Sequence, residues 1–163
     1  MHIVDGIALS DLAMRLVSSV FLGGLLGLNR DLHRKPAGIR TLALVSLGAA
    51  MATLLVVGVH PENGAPNVDA ISRVLQGILT GIGFLGVGVI IRDAAGHVSG
   101  LTTAATIWVS AIMGTLCGLG YWELIAISTA LIMSILTFGG KLERYAERVF
   151  KHASPASKQS SEQ

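Results

Sequence analysis

Acidic residues are absent from the middle of every long apolar run in this chain. A dedicated path for Mg²⁺ or protons through a helical bundle normally carries an intramembrane carboxylate, so this absence weighs against a transporter. There is also no His/Asp/Glu cluster at metal-ligand spacing, no nucleophile–base pair and no nucleotide loop. Neither an enzyme nor a protein holding a metal or cofactor is therefore expected. The single cysteine, Cys117, excludes an internal disulfide and reads as a small buried residue. Charge is scarce: 13% of residues are Asp, Glu, Lys or Arg, against roughly 25% in soluble domains. Met1–Asp5 lacks the basic region of a cleaved signal peptide, so the first apolar segment is expected to stay in the protein.

What remains is apolar. Hydrophobic residues make up 52% of the 163, and mean hydropathy is +0.66. Five segments approach the roughly 20 residues needed to cross the hydrocarbon layer. They are about Leu9–Leu28, Ile39–Val59, Val74–Ile91, Leu101–Gly120 and Trp122–Phe138. His60–Ala70 holds Pro61, Asn63, Gly64, Pro66 and Asn67, a loop composition. The expected fold is an all-α membrane protein: a five-helix bundle over residues 1–140. Residues 141–163 follow as a short basic amphipathic helix on anionic headgroups and a disordered tail.

Charge sets the expected orientation. Asn29–Arg40, Arg92–Ser99 and the segment after Gly140 share one side of the membrane. Together they carry ten of the twelve Lys/Arg, leaving Arg15 and Arg73 on the other side. Asp and Glu divide five and five and do not decide it. The positive-inside rule then gives an outside N-terminus and a cytoplasmic C-terminus, with Tyr121 and Trp122 in the outer aromatic belt.

The third segment holds Gly77, Gly81, Gly83, Gly86 and Gly88 within twelve residues. Each interior glycine costs a soluble helix about 1 kcal/mol, whereas a membrane helix uses small residues for close approach. Gly81-x-Gly83-x-x-Gly86 fits a dinucleotide fingerprint only in spacing, because no strand precedes it. The stretch is expected to be the central helix of the bundle. Arg73, Gly77, Thr80, Phe84 and Gly88 fall on one helical line with Gln76 at its edge. They form either a polar lining at the outer mouth or, with Asp69 four residues before Arg73, an ion pair at the helix end.

In the fourth segment Thr102, Thr106, Ser110, Gly114 and Gly118 repeat every fourth residue. This seam reads as packing against the third helix, with a row of solute-coordinating hydroxyls as the alternative. Mid-span Trp108 is either a core plug or part of a partner surface. Arg15 is expected to snorkel to the headgroups. Arg30, Arg34, Lys35, Arg40 and Arg92 converge on the cytoplasmic face, together with the N-termini of the second and fourth helices. Topology bias accounts for such a patch, as does recognition of a lipid headgroup or an acidic partner.

An internal repeat orders these features. Shifting the chain by 62 residues pairs Ser10 with Ser72, Gly24 with Gly86 and Arg30-Asp31 with Arg92-Asp93. It also pairs Gly38 with Gly100 and Thr41 with Thr103, among 11 identities in 45 positions. Two parallel hairpins follow, related by an axis along the membrane normal, and the fifth segment has no counterpart. The glycine-rich stretch in one hairpin alone predicts a single close contact, between the third and fourth helices.

Three stretches resemble the signatures of one family. Gly27-Leu-Asn-Arg30 with Lys35-Pro-Ala-Gly-Ile-Arg-Thr41 is similar to the first signature of the MgtC/SapB membrane proteins. Ile71-Ser-Arg73 through Gly77-x3-Gly81-Ile-Gly-Phe-Leu-Gly86-x-Gly88-x-Ile90 resembles the second, and Gly100-Leu-Thr-Thr-Ala-Ala-Thr-Ile-Trp108 the third. The resemblance spans about residues 10–138. It implies a multi-pass protein of the bacterial inner (plasma) membrane, linked to growth under magnesium limitation and to stress adaptation. It also implies that some members act by binding other membrane proteins, the proton-driven ATP synthase among them. The family usually has Glu where this chain has Asn29. Many members add a soluble α/β domain, where here only residues 141–163 follow the last span.

The function expected from all of this is non-enzymatic regulation or binding of other membrane proteins, in magnesium limitation or acid stress. Transport of a cation or small solute is the alternative. The partners expected are the lipid bilayer, other membrane proteins and a second copy of the chain, with no nucleic acid. The polar and packing core expected to carry the function is Asp69, Arg73, Gln76, Gly77, Thr80, Gly81, Gly88, Thr102, Thr103, Thr106 and Trp108.

Overall fold

A computed structural model describes residues 7–58, 68–92 and 98–152, and for residues 91–92, 141, 143–144 and 146–152 the backbone alone. The elements in order are α1 (Leu9–Leu32), α2 (Ile39–Val57), α3 (Val68–Val89), β1 (Ile91–Arg92), β2 (Val98–Ser99), α4 (Leu101–Leu119) and α5 (Trp122–His152). Among the described residues five helices are long and apolar enough to cross a membrane, as read from the sequence. In lipid a helix satisfies its own backbone, and this is why the apolar runs take that form. β1 and β2 form a two-residue antiparallel pair, Ile91 opposite Ser99 and Arg92 opposite Val98, inside the α3–α4 connection. The loop His60–Ala70 falls mostly outside the described residues, although α3 begins within it, at Val68.

The chain forms two compact units, Met1–Ile127 and Ser128–Gln163. The described part of the second is the continuation of α5, which runs unbroken through Gly139 and Gly140 to His152. Residues 153–163, expected to be a disordered tail, lie outside the described residues.

In the first unit the central helix is α4, and this corrects the expectation that α3 is. Ten residues of α4 are buried, against Gly86 alone in α3. The reason lies in side-chain size. At Gly114 a Cβ would stand 2.8 Å from Ser46 Cα, and at Gly118 it would stand 2.9 Å from the Ala50 carbonyl oxygen. The seam of α4 therefore packs on α2, not on α3. Ser110 donates to the Leu42 carbonyl at 2.8 Å, so the contacts step along both helices in the same direction. α2 and α4 run parallel, as two parallel hairpins require.

α1 approaches α2 as closely. A Cβ at Gly23 would stand 2.8 Å from Ser46 Cβ, and one at Gly27 2.6 Å from the Ile39 nitrogen. Under the 62-residue shift these positions become Leu85 and Val89 in α3. Leucine and valine thus stand in α3 where α1 has the glycines of its close approach. At Gly77, Gly81, Gly83 and Gly88 a Cβ would meet nothing within 4 Å, and at Gly86 only Ala104 Cβ at 3.6 Å. α3 does meet α4, with Gly86 buried against Ala104, but the other glycines of the stretch take no part in that contact. A groove of about 390 Å³ opens between α2 and α3 instead, lined by Leu44, Gly48, Gly77, Ile78, Gly81 and Leu85, among others.

Candidate functional site

The polar groups of the first unit gather at the two ends of the α1–α2–α4 core. At one end stands Arg30, in the last turn of α1 and only 5% exposed. Its Nη2 donates to Thr103 Oγ1 in the first turn of α4. Its Nε has no partner, and among the described residues no carboxylate lies within ion-pair reach of the guanidinium. The neighbouring Asp31 serves α2: its Oδ2 accepts the Ile39 N–H at 3.0 Å, and the carboxylate lies so close over Gly38 that a Cβ there would overlap it. A carboxylate at a helix N-terminus satisfies an orphan donor and the positive end of the helix dipole.

The link between α1 and α2 is tightly wound. Lys35 N–H donates to the Arg30 carbonyl and Arg34 N–H to the Asp31 carbonyl, both at 3.0 Å, with Arg34 at φ 51°. This is the left-handed helix stop usually given to glycine. The end of α4 is built the same way, with Gly120 at φ 78°. Ala37 at φ 61° adds a second left-handed residue to the α1–α2 link. The turn leaves Arg34, Lys35 and Arg40 exposed around the buried Arg30. Arg92, the remaining member of the basic face, lies in β1, and its side chain is outside the described residues.

At the other end is Arg15. It pairs with Asp11, with both Nε and Nη2 3.0 Å from Oδ2, and its Nη1 donates to the Gly118 carbonyl at 2.7 Å. Its side chain thus reaches to the end of the core where α4 stops, and protein groups hold it there. A carboxylate one turn away and a free carbonyl at the end of α4 give the cation a better-matched site than water would.

Between these ends lie buried hydroxyls. Thr53 and Thr106 bond the carbonyls of Ala49 and Thr102, four residues back, at 2.8 and 2.7 Å. Ser46 Oγ and Thr115 Oγ1 are buried without a partner.

The expected polar core does not come together. Asp69, Arg73, Gln76, Gly77, Thr80, Gly81 and Gly88 are all exposed on α3, so they do not line the interior of the bundle. Asp69 and Arg73 form no ion pair, and Thr80 bonds its own helix at the Gln76 carbonyl, 2.8 Å away. Thr102 is exposed, Thr103 and Thr106 are buried, and Trp108 is 46% exposed, which excludes a core plug. Sequence reasoning missed the Arg30–Thr103 contact, the Asp31 cap, the Asp11–Arg15 pair and the Gly23/Gly27 approach. Gly23-x3-Gly27 and the four-residue spacing from Asp11 to Arg15 were visible signals for two of them.

Residues 16–145, which include all of these groups except Asp11 and Arg15, match the MgtC family. The chain belongs to the MgtC family. Protein SrpB of Synechococcus elongatus is 38% identical over 144 residues, covering 83% of this chain and 78% of that protein. Protein MgtC of Salmonella typhimurium is 41% identical over 120 residues, 74% of this chain and 48% of the relative. Protein MgtC of Brucella abortus is 38% identical over 127 residues, 78% and 50%. The chain thus spans about half the length of these MgtC proteins. No solved structure matches it. Membership in the MgtC family and the five apolar helices together identify a multi-pass membrane protein.

Proposed function

We propose that this MgtC-family protein acts without enzymatic chemistry in the bacterial inner membrane, N-terminus outside, by binding other membrane proteins during magnesium limitation or acid stress. The observation that supports this reading is α3. It is 22 residues long, yet none of its most apolar window is buried. Four of its glycines, Gly77, Gly81, Gly83 and Gly88, face open space, two of them lining a groove shared with α2. In lipid, a backbone bared by glycine gains most from another helix of small residues, because van der Waals contact rather than hydrophobicity drives association. The occupant this surface fits is a transmembrane helix of a different protein.

A photocrosslinking residue placed at Phe84 or Gly81, in native membranes under Mg²⁺ limitation, is expected to give discrete protein adducts. The same residue at Leu44, across the groove, should give the same partner. Purified protein in liposomes is expected to pass neither Mg²⁺ nor protons. A flux that Arg73→Ala or Gln76→Ala abolishes, with only lipid adducts on α3, would reverse the proposal in favour of transport. Adducts solely of doubled mass would make the partner a second copy of the chain.

A further inference from the structure

Arg30 is a cation 95% withdrawn from solvent with one hydrogen bond, an unpartnered Nε and no carboxylate in reach among the described residues. A charge withdrawn from water without a counter-charge is strongly disfavoured. The guanidinium is aimed into the first turn of α4, through Thr103. α4 has 19 residues, and its N-cap is Gly100 at φ 91°, which has no side chain to cap with. The first N–H groups of a helix have no partners inside it, and they carry its positive pole.

The same need is met differently at α2, where Asp31 supplies the anion. Two positive groups therefore converge at the N-terminus of α4, a buried guanidinium and a helix pole. We propose that the Arg30 end of the core binds a phosphate oxyanion, held by the Arg30 guanidinium and the first turn of α4.

The chemistry fits phosphate in particular. A guanidinium presents a planar fork to phosphate oxygens, and helix N-termini bind phosphate through backbone N–H groups. Nε is shut off from solvent and is the part of the fork still without a partner. Arg30 lies two residues before the end of α1, less than one turn deep, which is the level of lipid headgroups. Exposed Arg34, Lys35 and Arg40 surround this end and raise the local concentration of anions. The phosphate belongs either to an anionic lipid or to a soluble phosphate. The sequence counterpart of Asp31 in the second hairpin is Asp93, which lies outside the described residues, so the test includes its neutralisation.

The test uses the full chain in neutral detergent, with phosphatidylglycerol against phosphatidylcholine by native mass spectrometry, and inorganic phosphate against chloride by calorimetry. Phosphatidylglycerol is expected to bind more tightly than phosphatidylcholine, and Arg30→Gln to weaken it about tenfold. Thr103→Val, a substitution of nearly equal volume, should also weaken it and keeps the test alive if Arg30→Gln does not fold. The Arg34→Gln/Lys35→Gln variant should change affinity less than either. Arg30-dependent binding of inorganic phosphate alone supports a soluble source; binding of the lipid alone supports a headgroup site.

Three results would overturn the proposal. The first is no preference in either arm. The second is binding that survives Arg30→Gln and Thr103→Val but is lost in the Arg34/Lys35 variant. The third is binding that appears only in Asp93→Asn. Each leaves the partner-binding reading untouched, because that reading rests on α3.

Discussion

A Cβ at Gly23 would stand 2.5 Å from the Leu42 carbonyl oxygen, while one at Gly81 would meet nothing within 4 Å. The two glycines are alike in sequence and opposite in consequence. Gly23→Ala is expected to destabilise the folded protein by about 1–3 kcal/mol through overpacking. Gly81→Ala should leave stability unchanged or raise it by up to about 1 kcal/mol through helix propensity. Thermal melts of both variants in detergent distinguish them. If Gly81→Ala proved the more damaging, the packing of α3 described above would be wrong. Arg34 holds a left-handed stop that Gly120 fills at the end of α4. Arg34→Gly should therefore stabilise the α1–α2 link by about 1 kcal/mol, read in the same melts. The sequence marked these positions without ranking them. Glycine density drew attention to α3, but what decides a contact is the size of the residues opposite, and no single stretch contains that information.

Helices were legible because their apolar runs are long and uninterrupted, and the bounds of α2, α4 and the start of α5 fell within two residues of expectation. Small residues at every fourth position also identified the packing face of α4. Its partner was not legible, since a seam of small residues fits any helix that presents backbone. The structure chose α2, where Gly114 and Gly118 lie against Ser46, Ala50 and Thr53. The 62-residue repeat held more of the answer than its glycine count, because Gly23 and Gly27 pair with Leu85 and Val89. Asp31 joins the first hairpin by capping α2. Asp31→Asn keeps the side chain's shape but loses its charge, and Asp31→Ala loses the cap. The expected losses are about 0.5 kcal/mol or less and about 1 kcal/mol respectively, measured by unfolding in detergent. Equal losses from the two variants would show that charge at this helix end contributes most of the effect.

For the whole molecule, composition was enough to fix the class, and charge was enough to propose the orientation. The buried Cys117 gives that proposal a clean test, because the native chain offers a membrane-impermeant maleimide little to react with. A cysteine introduced at exposed Lys35 should be labelled only after the cells are opened. One introduced at exposed Tyr121 should be labelled in intact cells with a permeable outer membrane. The reverse pattern would invert the topology. The arrangement of polar groups was the least legible part, since its buried contacts join residues far apart in the chain: Arg30 with Thr103, and Ser110 with Leu42.

The bond from Arg15 to the Gly118 carbonyl spans 103 residues and gives the chain an order of assembly. When α1 enters the membrane, α4 has not yet been made. Until it is, Arg15 has only Asp11 as a partner. The arginine site is completed only when the last turn of α4 arrives. A nascent chain truncated before Gly118 should therefore hold α1 weakly, and the finished protein should hold it fast. In this way the last turn of α4 ties down a helix made long before it.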